Sequence, residues 1–170
     1  MIRDAAADHA ATRLGPGAHD RDQAAHLDRA EFAGLSELGL FGIALPESAG
    51  GVGAGPTAVA LAVEELASRC PSTALAFHHH ALLATELLAG AGRGELPALL
   101  SGELLATCAI GADLRAESRG AGVALTGRVA VVPGLASADL IVVQAGPAGY
   151  YVVERTARGV SIDDGAPPRR

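Results

Sequence analysis

Hydrophobic residues recur at helical spacing through the first hundred positions of the chain. Val59, Val63 and Leu66, for example, follow one another at i, i+4 and i+7, with polar side chains between them. Asp28 and Glu31 form a possible capping box ahead of another such run. The pattern predicts helices over residues 5–14, 28–39, 57–70, 73–89 and 95–100. Leucines cover so much of the fourth helix, which Ser72 would cap, that we expect it to be central and buried.

After Gly102 the hydrophobic pattern changes to period two and β-branched residues become frequent. Strands are predicted over residues 104–110, 122–132, 139–144, 150–154 and 160–162. Because no helices alternate with these strands, the pattern predicts an α+β fold, with a helical bundle at residues 1–102 and a partial antiparallel β-domain at 103–170. Strands need partners on both edges, and this set looks unfinished.

Composition and charge narrow the class of protein. The chain has 170 residues, is 49% hydrophobic and carries a formal net charge of −6. Its arginines are scattered, which disfavours nucleic acid and anionic membrane as partners. The longest apolar runs are too short to span a bilayer, and we expect a cytoplasmic protein. Cys70 and Cys108 lack the spacing of a metal or redox pair, so we expect both to stay reduced.

A glycine-rich loop follows the second predicted helix. In the stretch "LGLFGIALPESAGGVGAGP" an apolar run is followed by Leu45-Pro46-Glu47, and four glycines then precede Pro56. A loop with so few side chains lets the backbone come close either to another segment or to a ligand. The loop alone leaves both interpretations open.

An ordered series of segments resembles the acyl-CoA dehydrogenase family. The segments are "AEFAGLSELGLFGIALPESAGGVGAGP", "VALAVEELASRCPSTALAFHHHALLATELL", "LPALLSGELLATCAI" and "GVALTGRVAVVPGLASADLIVVQA". They resemble the amino-terminal helical domain and part of the middle β-domain of that family, from about Glu31 to Ile162. In that family the LPE-x-x-GG-x-G loop packs near the substrate channel.

The resemblance implies an oxidoreductase of fatty acid metabolism, a flavoprotein that oxidises an acyl-CoA thioester between Cα and Cβ. In the family a carboxylate base removes the α-proton and FAD accepts a hydride. The base lies in a carboxy-terminal helical bundle that this sequence does not contain. No catalytic residue is therefore assigned, and we expect a homo-oligomer or a bundle-bearing partner chain to complete the site.

The flavin-binding segments of the family are altered in this sequence. The family's loop T-E-P-x-A-G-S-D is replaced here by Gly111-Ala112-Asp113. The family's strand G-x-K-x-W-I-T-N corresponds to residues 127–134. In this stretch Val131 replaces the aromatic side chain, Pro133 the hydroxyl and Gly134 the amide. Ile110 and Val132 alone keep a family-like residue at flavin-facing positions, and either is equally compatible with a strand core. FAD binding by this chain alone is doubtful.

The remaining motifs leave three interpretations open. His78-His79-His80 is not expected to bind a metal, because consecutive helical residues point about 100° apart, and a packed or pocket-lining histidine is expected instead. The first interpretation is that the chain is the front part of a flavin-dependent dehydrogenase that works with a partner. The second is a non-catalytic, flavin-free subunit or binding module, and the third is a truncated gene product. The abrupt ending Pro-Pro-Arg-Arg is the main argument for the last.

Overall fold

The helices precede the strands along the chain, which confirms the predicted α+β class. The computed structural model describes residues 1–24, 27–111, 113–120, 122–146 and 149–162. Ala112, part of the predicted loop at 111–113, and the terminal residues 165–170 lie outside these ranges. The α-helices are α1 (Ile2–His9), α2 (Ala18–Ala24), α3 (Arg29–Glu37), α4 (Gly55–Ala67), α5 (Pro71–Phe77), α6 (Thr85–Gly90) and α7 (Leu96–Ser101). Two π-helical segments, Ala10–Leu14 and His78–Ala84, continue α1 and join α5 to α6.

Within the described ranges, five strands form two sheets. They are β1 (Ala106–Ile110), β2 (Arg115–Arg119), β3 (Gly122–Thr126), β4 (Leu140–Gln144) and β5 (Tyr150–Glu154). Strands β2 and β3 pair as an antiparallel hairpin, while the other three form a sheet in the order β1-β4-β5. The β4–β5 pair is antiparallel, but β1 and β4 run parallel, so the larger sheet is mixed. The long connection through β2 and β3 permits the parallel pairing.

The strand boundaries differ from the predicted ones in three places. Strand β3 ends at Thr126, not at residue 132, because Gly127 has a φ of +144° and lies directly against the Asp113 backbone. Strand β2 was not predicted, since its sequence RAESR is polar and mostly exposed. Residues 160–162 form no strand.

The helix boundaries show both agreement and correction. Asp28 caps α3 as predicted, and its Oδ1 accepts hydrogen bonds from the N–H groups of Ala30 and Glu31. The Glu31 carboxylate pairs with Arg21 of α2, with 2.5 Å between Oε2 and Nη1, so the capping interaction is made by Asp28. Helix α2 was not predicted, and it begins directly after the turn residues Gly15-Pro16-Gly17. Ser72 is not the cap of α5, which begins at Pro71 with Cys70 at the N-cap position.

The central helix consists of α5, the π-helical segment and α6. Because a π-turn takes more residues than an α-turn, positions four apart stay on one face, and Ala76, His80, Ala84 and Leu88 are all buried. The helix was expected to be central and buried, and Leu75 departs from this expectation because it is 48% exposed. The buried positions show that one side of this helix meets the core.

The glycine-rich loop folds back on itself. Val52 N donates to Gly42 O at 2.9 Å, Gly53 N to Leu45 O at 2.8 Å and Ala54 N to Ile43 O at 3.0 Å. A Cβ placed on Gly51 would lie 2.6 Å from Gly42 O and would also overlap the Leu45 backbone. The glycine at position 51 is therefore explained by close approach of one backbone segment to another. This is the first of the two interpretations of the loop, approach to another segment.

Asp139 joins the helical part to the larger sheet. Its Oδ2 accepts from Leu105 N at 2.8 Å and from Arg29 Nη2 at 2.9 Å. Arg29 also donates from Nη1 to Ser137 O at 2.6 Å. Because Arg29 opens α3 and Asp139 precedes β4, this network fixes the sheet against the helices. The predicted boundary between residues 102 and 103 stays a prediction.

Candidate functional site

The central helix contacts β1 through two adjacent histidines. His80 Nδ1 accepts a hydrogen bond from Ala106 N at 3.0 Å, and Nε2 therefore carries the proton and donates to Leu99 O at 3.1 Å. The backbone of Cys108, two residues further along β1, bonds the His79 ring. The histidines thus contact the first half of β1, and the other end of this strand, at Ile110, borders the segment described below.

Burial sets the protonation of both rings. His80 is 1% exposed, and desolvation lowers its pKa to about 4 although bonds to Leu99 and Ala106 oppose the shift. Desolvation also lowers the pKa of the half-buried His79, and the bond to Cys108 partly opposes it. His80 is consequently a neutral packing residue, as the sequence predicted for this run, and it lies edge-on to Phe41 with ring centroids 4.3 Å apart.

Residues 128–134, a segment without regular secondary structure, run antiparallel to β1. At one end, a Cβ on Gly111 would lie 3.2 Å from Val129 Cγ2. At the other end, the buried Thr107 hydroxyl donates to Pro133 O at 2.6 Å. Gly134 follows in a left-handed conformation, and a Cβ there would lie 3.5 Å from the Ala76 Cβ of the central helix. We call this stretch the edge segment.

Apolar side chains along the edge segment face solvent. Val131 is 72% exposed, Ile110 at the end of β1 is 45% exposed, and Leu75, next to the Ala76 that contacts Gly134, is 48% exposed. We call these three residues the apolar edge. Ile110 and Val131 belong to neighbouring segments, β1 and the edge segment, which makes this edge of the sheet a candidate binding surface.

The two flavin contacts predicted from the sequence occupy different surroundings. Ile110 follows Ala106 and Cys108 on the face of β1 that meets α6 and α7. Val132 is half-buried and packs with Ala109, Ile141 and Val143 on the opposite face. Ile110 thus belongs to the apolar edge, whereas Val132 helps to fill the sheet's outer core. Their contact with flavin stays a prediction.

The residues present do not by themselves fit FAD. A planar isoalloxazine can pack on Val131 and Ile110, but its pyrimidine edge needs hydrogen-bonding groups. Pro133 has no N–H group, and its carbonyl already accepts from Thr107. Gly134 has no side chain. The apolar edge therefore offers no polar side chain to the flavin, and no chemical step through the flavin is derived from it.

The glycine-rich loop borders a small pocket away from β1. It has a volume of about 280 Å³ and is lined by Ala44, Gly55, Pro56, Val59, Leu82 and Glu86. Gly51 permits internal packing, while Gly55 and Pro56 line the cavity, and contact of the loop with a ligand stays a prediction. The walls are apolar apart from the Glu86 carboxylate.

Several charged and nucleophilic groups elsewhere are paired or buried. Among the glutamates, Glu31, Glu65 and Glu95 are paired with arginines. Both cysteines are free and buried, and desolvation raises the pKa of Cys108 to about 12. Within the described residues, no group of three metal-binding side chains comes together, and every helix is too short or too polar to cross a bilayer.

Comparison with known proteins decides the family. Residues 1–106 match the model of the acyl-CoA dehydrogenase N-terminal domain. The chain belongs to the acyl-CoA dehydrogenase family. This confirms the resemblance inferred from the helical segments and the glycine-rich loop.

Individual relatives agree with this assignment. The chain is 39% identical over 77 residues to the probable acyl-CoA dehydrogenase YngJ of Bacillus subtilis, covering 45% of this chain and 20% of that protein. It is 34% identical over 113 residues to the benzylmalonyl-CoA dehydrogenase of Aromatoleum aromaticum, covering 63% and 30%. The solved glutaryl-CoA dehydrogenase of Mycobacterium smegmatis superposes with a TM-score of 0.80 at 25% identity, covering 93% of this chain and 46% of that one. The chain thus spans less than half the length of these relatives.

Two groups near the site were missed by sequence reasoning. Thr107 and the individual roles of His79 and His80 emerge only from contacts between segments far apart in sequence. A signal for Thr107 existed, because it is a polar residue inside the otherwise apolar strand β1. Its partner Pro133 has no such signal.

Proposed function

We propose that this acyl-CoA dehydrogenase family chain belongs to an FAD-dependent oxidoreductase that introduces a double bond between Cα and Cβ of an acyl-CoA thioester. The chain contributes the apolar edge and the helices behind it. The catalytic carboxylate and most flavin contacts come from polypeptide outside these residues, on the same chain or on a partner. The observation that carries this proposal is the exposed wall of Val131 and Ile110 at the junction of helices and sheet.

The chain's own part in the reaction is to bind and to exclude water. When bound, FAD supplies the hydride acceptor. Val131 and Ile110 present apolar surface that a covered site removes from solvent, and a dry environment strengthens the polar interactions made there by other groups. His80 holds β1 at Ala106, and Thr107 holds the edge segment at Pro133, so the wall has a fixed position.

The test is purification of the native complex. We expect a tagged chain, isolated with its partners from its own cells, to show flavin absorbance that bleaches when a saturated acyl-CoA is added. Val131→Asp should reduce the flavin content, because it puts a charge on the apolar edge, whereas Val123→Asp on the exposed hairpin strand β3 should not. A pure complex without flavin would contradict the proposal.

The isolated chain provides a second measurement. Since Pro133 and Gly134 offer no polar side chain for the flavin, the 170 residues alone should purify colourless. A yellow preparation with near-stoichiometric FAD would show that this chain holds the cofactor unaided. Association with a second copy or with a partner that carries a helical bundle should appear as a larger mass in light scattering, because the apolar edge is left uncovered in the single chain.

The occupied Pro133 carbonyl favours a second candidate function, a flavin-free subunit or binding module of the same family. Under this alternative the native complex contains no flavin in stoichiometric amount and leaves acyl-CoA unoxidised. Retained binding of an acyl-CoA without bleaching would identify it.

A further inference from the structure

We propose that Thr107 is a positioning residue whose hydroxyl fixes the edge segment, and with it the apolar wall of Val131, against β1. The inference rests on the proposed function, because Thr107 matters to that function only if Val131 belongs to the flavin-binding wall. Thr107 is 1% exposed and lies in the middle of β1, where its neighbours Ala106 and Cys108 face the helices. The hydroxyl therefore points to the opposite face, where Pro133 lies.

The energetic argument depends on burial. A buried hydroxyl without a partner costs free energy, and so does a carbonyl oxygen removed from water. The Thr107 Oγ1–Pro133 O bond of 2.6 Å satisfies both groups at once. Apolar packing of Val129 and Val132 brings the segment to the sheet but has no direction, whereas this hydrogen bond sets its register along β1.

Val131 depends on this bond because it lies between the two anchors. Its neighbour Val132 packs in the outer core, and Pro133 is held by Thr107. Val131 itself is 72% exposed, so packing does little to hold it. Loss of the Thr107 hydroxyl should thus loosen residues 129–133 while leaving β4, on the other side of β1, in place.

The experiment is amide hydrogen exchange on the full 170-residue chain, which needs no flavin and so separates this inference from the proposed reaction. Thr107→Val removes only the hydroxyl and should speed exchange roughly tenfold at the Leu135 and Ser137 amides, which donate to Val132 O and Gly134 O at the end of the edge segment, with β4 unchanged. Thr107→Ser should restore slow exchange. Thr85→Val is the matched control, since Thr85 is also fully buried and its Oγ1 has no hydrogen-bond partner among the described residues.

Several outcomes would overturn the inference. These are unchanged exchange in Thr107→Val, equal acceleration in β4, or failure of Thr107→Ser to restore protection. If Thr107→Val does not fold, the wild-type chain still decides. A slowly exchanging Thr107 hydroxyl proton with nuclear Overhauser contacts to Pro133 supports the assignment, and a hydroxyl proton in rapid exchange with water refutes it.

Discussion

Replacement of His80 by leucine tests the packing between the central helix and β1. The substitution introduces an apolar side chain of similar size but leaves Ala106 N–H buried without a partner, while Leu99 C=O keeps only its bond from Gly102 N. The unsatisfied N–H group costs roughly 1–3 kcal/mol, and the lost bond to Leu99 about 1 kcal/mol. The edge-on contacts with Phe41 and Phe32 are also lost, at about 0.5–1.5 kcal/mol each. We expect the free energy of unfolding to fall by about 3–5 kcal/mol, a large part of a typical domain's stability.

The assay is equilibrium urea unfolding with an unchanged m-value. His78→Leu is the control, because His78 is only half-buried and its Nδ1 has no partner among the described residues. That substitution should change stability by less than about 1 kcal/mol. Equal effects of the two substitutions would refute the assignment of His80 as the residue that joins helix and strand.

The pH dependence provides an independent measure. His80 has a folded-state pKa of about 4 against 6.5 for the free side chain, so the unfolded chain takes up the proton first as pH falls. Stability from this group is fully present above pH 6.5 and is lost between 6.5 and 4, by about 3 kcal/mol at 1.36 kcal/mol per pKa unit. The His80→Leu protein should lack this loss. A pH profile parallel to that of the wild type would contradict the buried neutral histidine.

Two further substitutions test the backbone contacts. Gly51→Ala should destabilise the chain by at least about 3 kcal/mol in urea unfolding, because the new Cβ overlaps the Leu45 and Gly42 backbone. Gly90→Ala is the control, because Gly90 lies in a helix with open space around it, and it should be neutral or stabilising by up to about 1 kcal/mol. Similar losses of stability in the Gly51→Ala and Gly90→Ala proteins would show that the loop is not closely packed. Asp139→Asn should cost about 1–2 kcal/mol in thermal unfolding, since the Arg29 pair is partly exposed but also bonds Leu105 N. Glu117→Gln on the exposed hairpin should change nothing measurable, and an equal loss there would contradict the role of the Asp139 network in fixing the sheet against the helices.

Local sequence signals predicted the elements that depend on neighbouring residues. The helical spacing before Gly102, the Asp28 cap and the β-branched runs gave the α+β class and the approximate position of each long element. These features depend on interactions within a few residues, which the order of side chains specifies directly. The family could be inferred for the same reason, because its signature is an ordered series of local segments.

The signals failed where a partner decides the structure. Leu75 is exposed because the side of α5 that meets the core carries Thr73, Ala74, Ala76 and Phe77 instead, and β3 ends at Thr126 because Gly127 meets the Asp113 backbone. Val132 is a further example. Its position in the sequence is compatible with a flavin contact or with a core residue, and in the structure it packs in the outer core of the sheet.

The sequence by itself determined the order of helices and strands, the apolar character of the core and the altered flavin-binding segments. Only the tertiary structure decided that β1 and β4 pair in parallel, that His80 rather than its neighbours bridges helix and strand, and that Thr107 meets Pro133. Each of these contacts joins residues at least 19 positions apart, as between His80 and Leu99. Such contacts form because buried donors and acceptors must find partners, and which partners they find depends on how the whole chain packs.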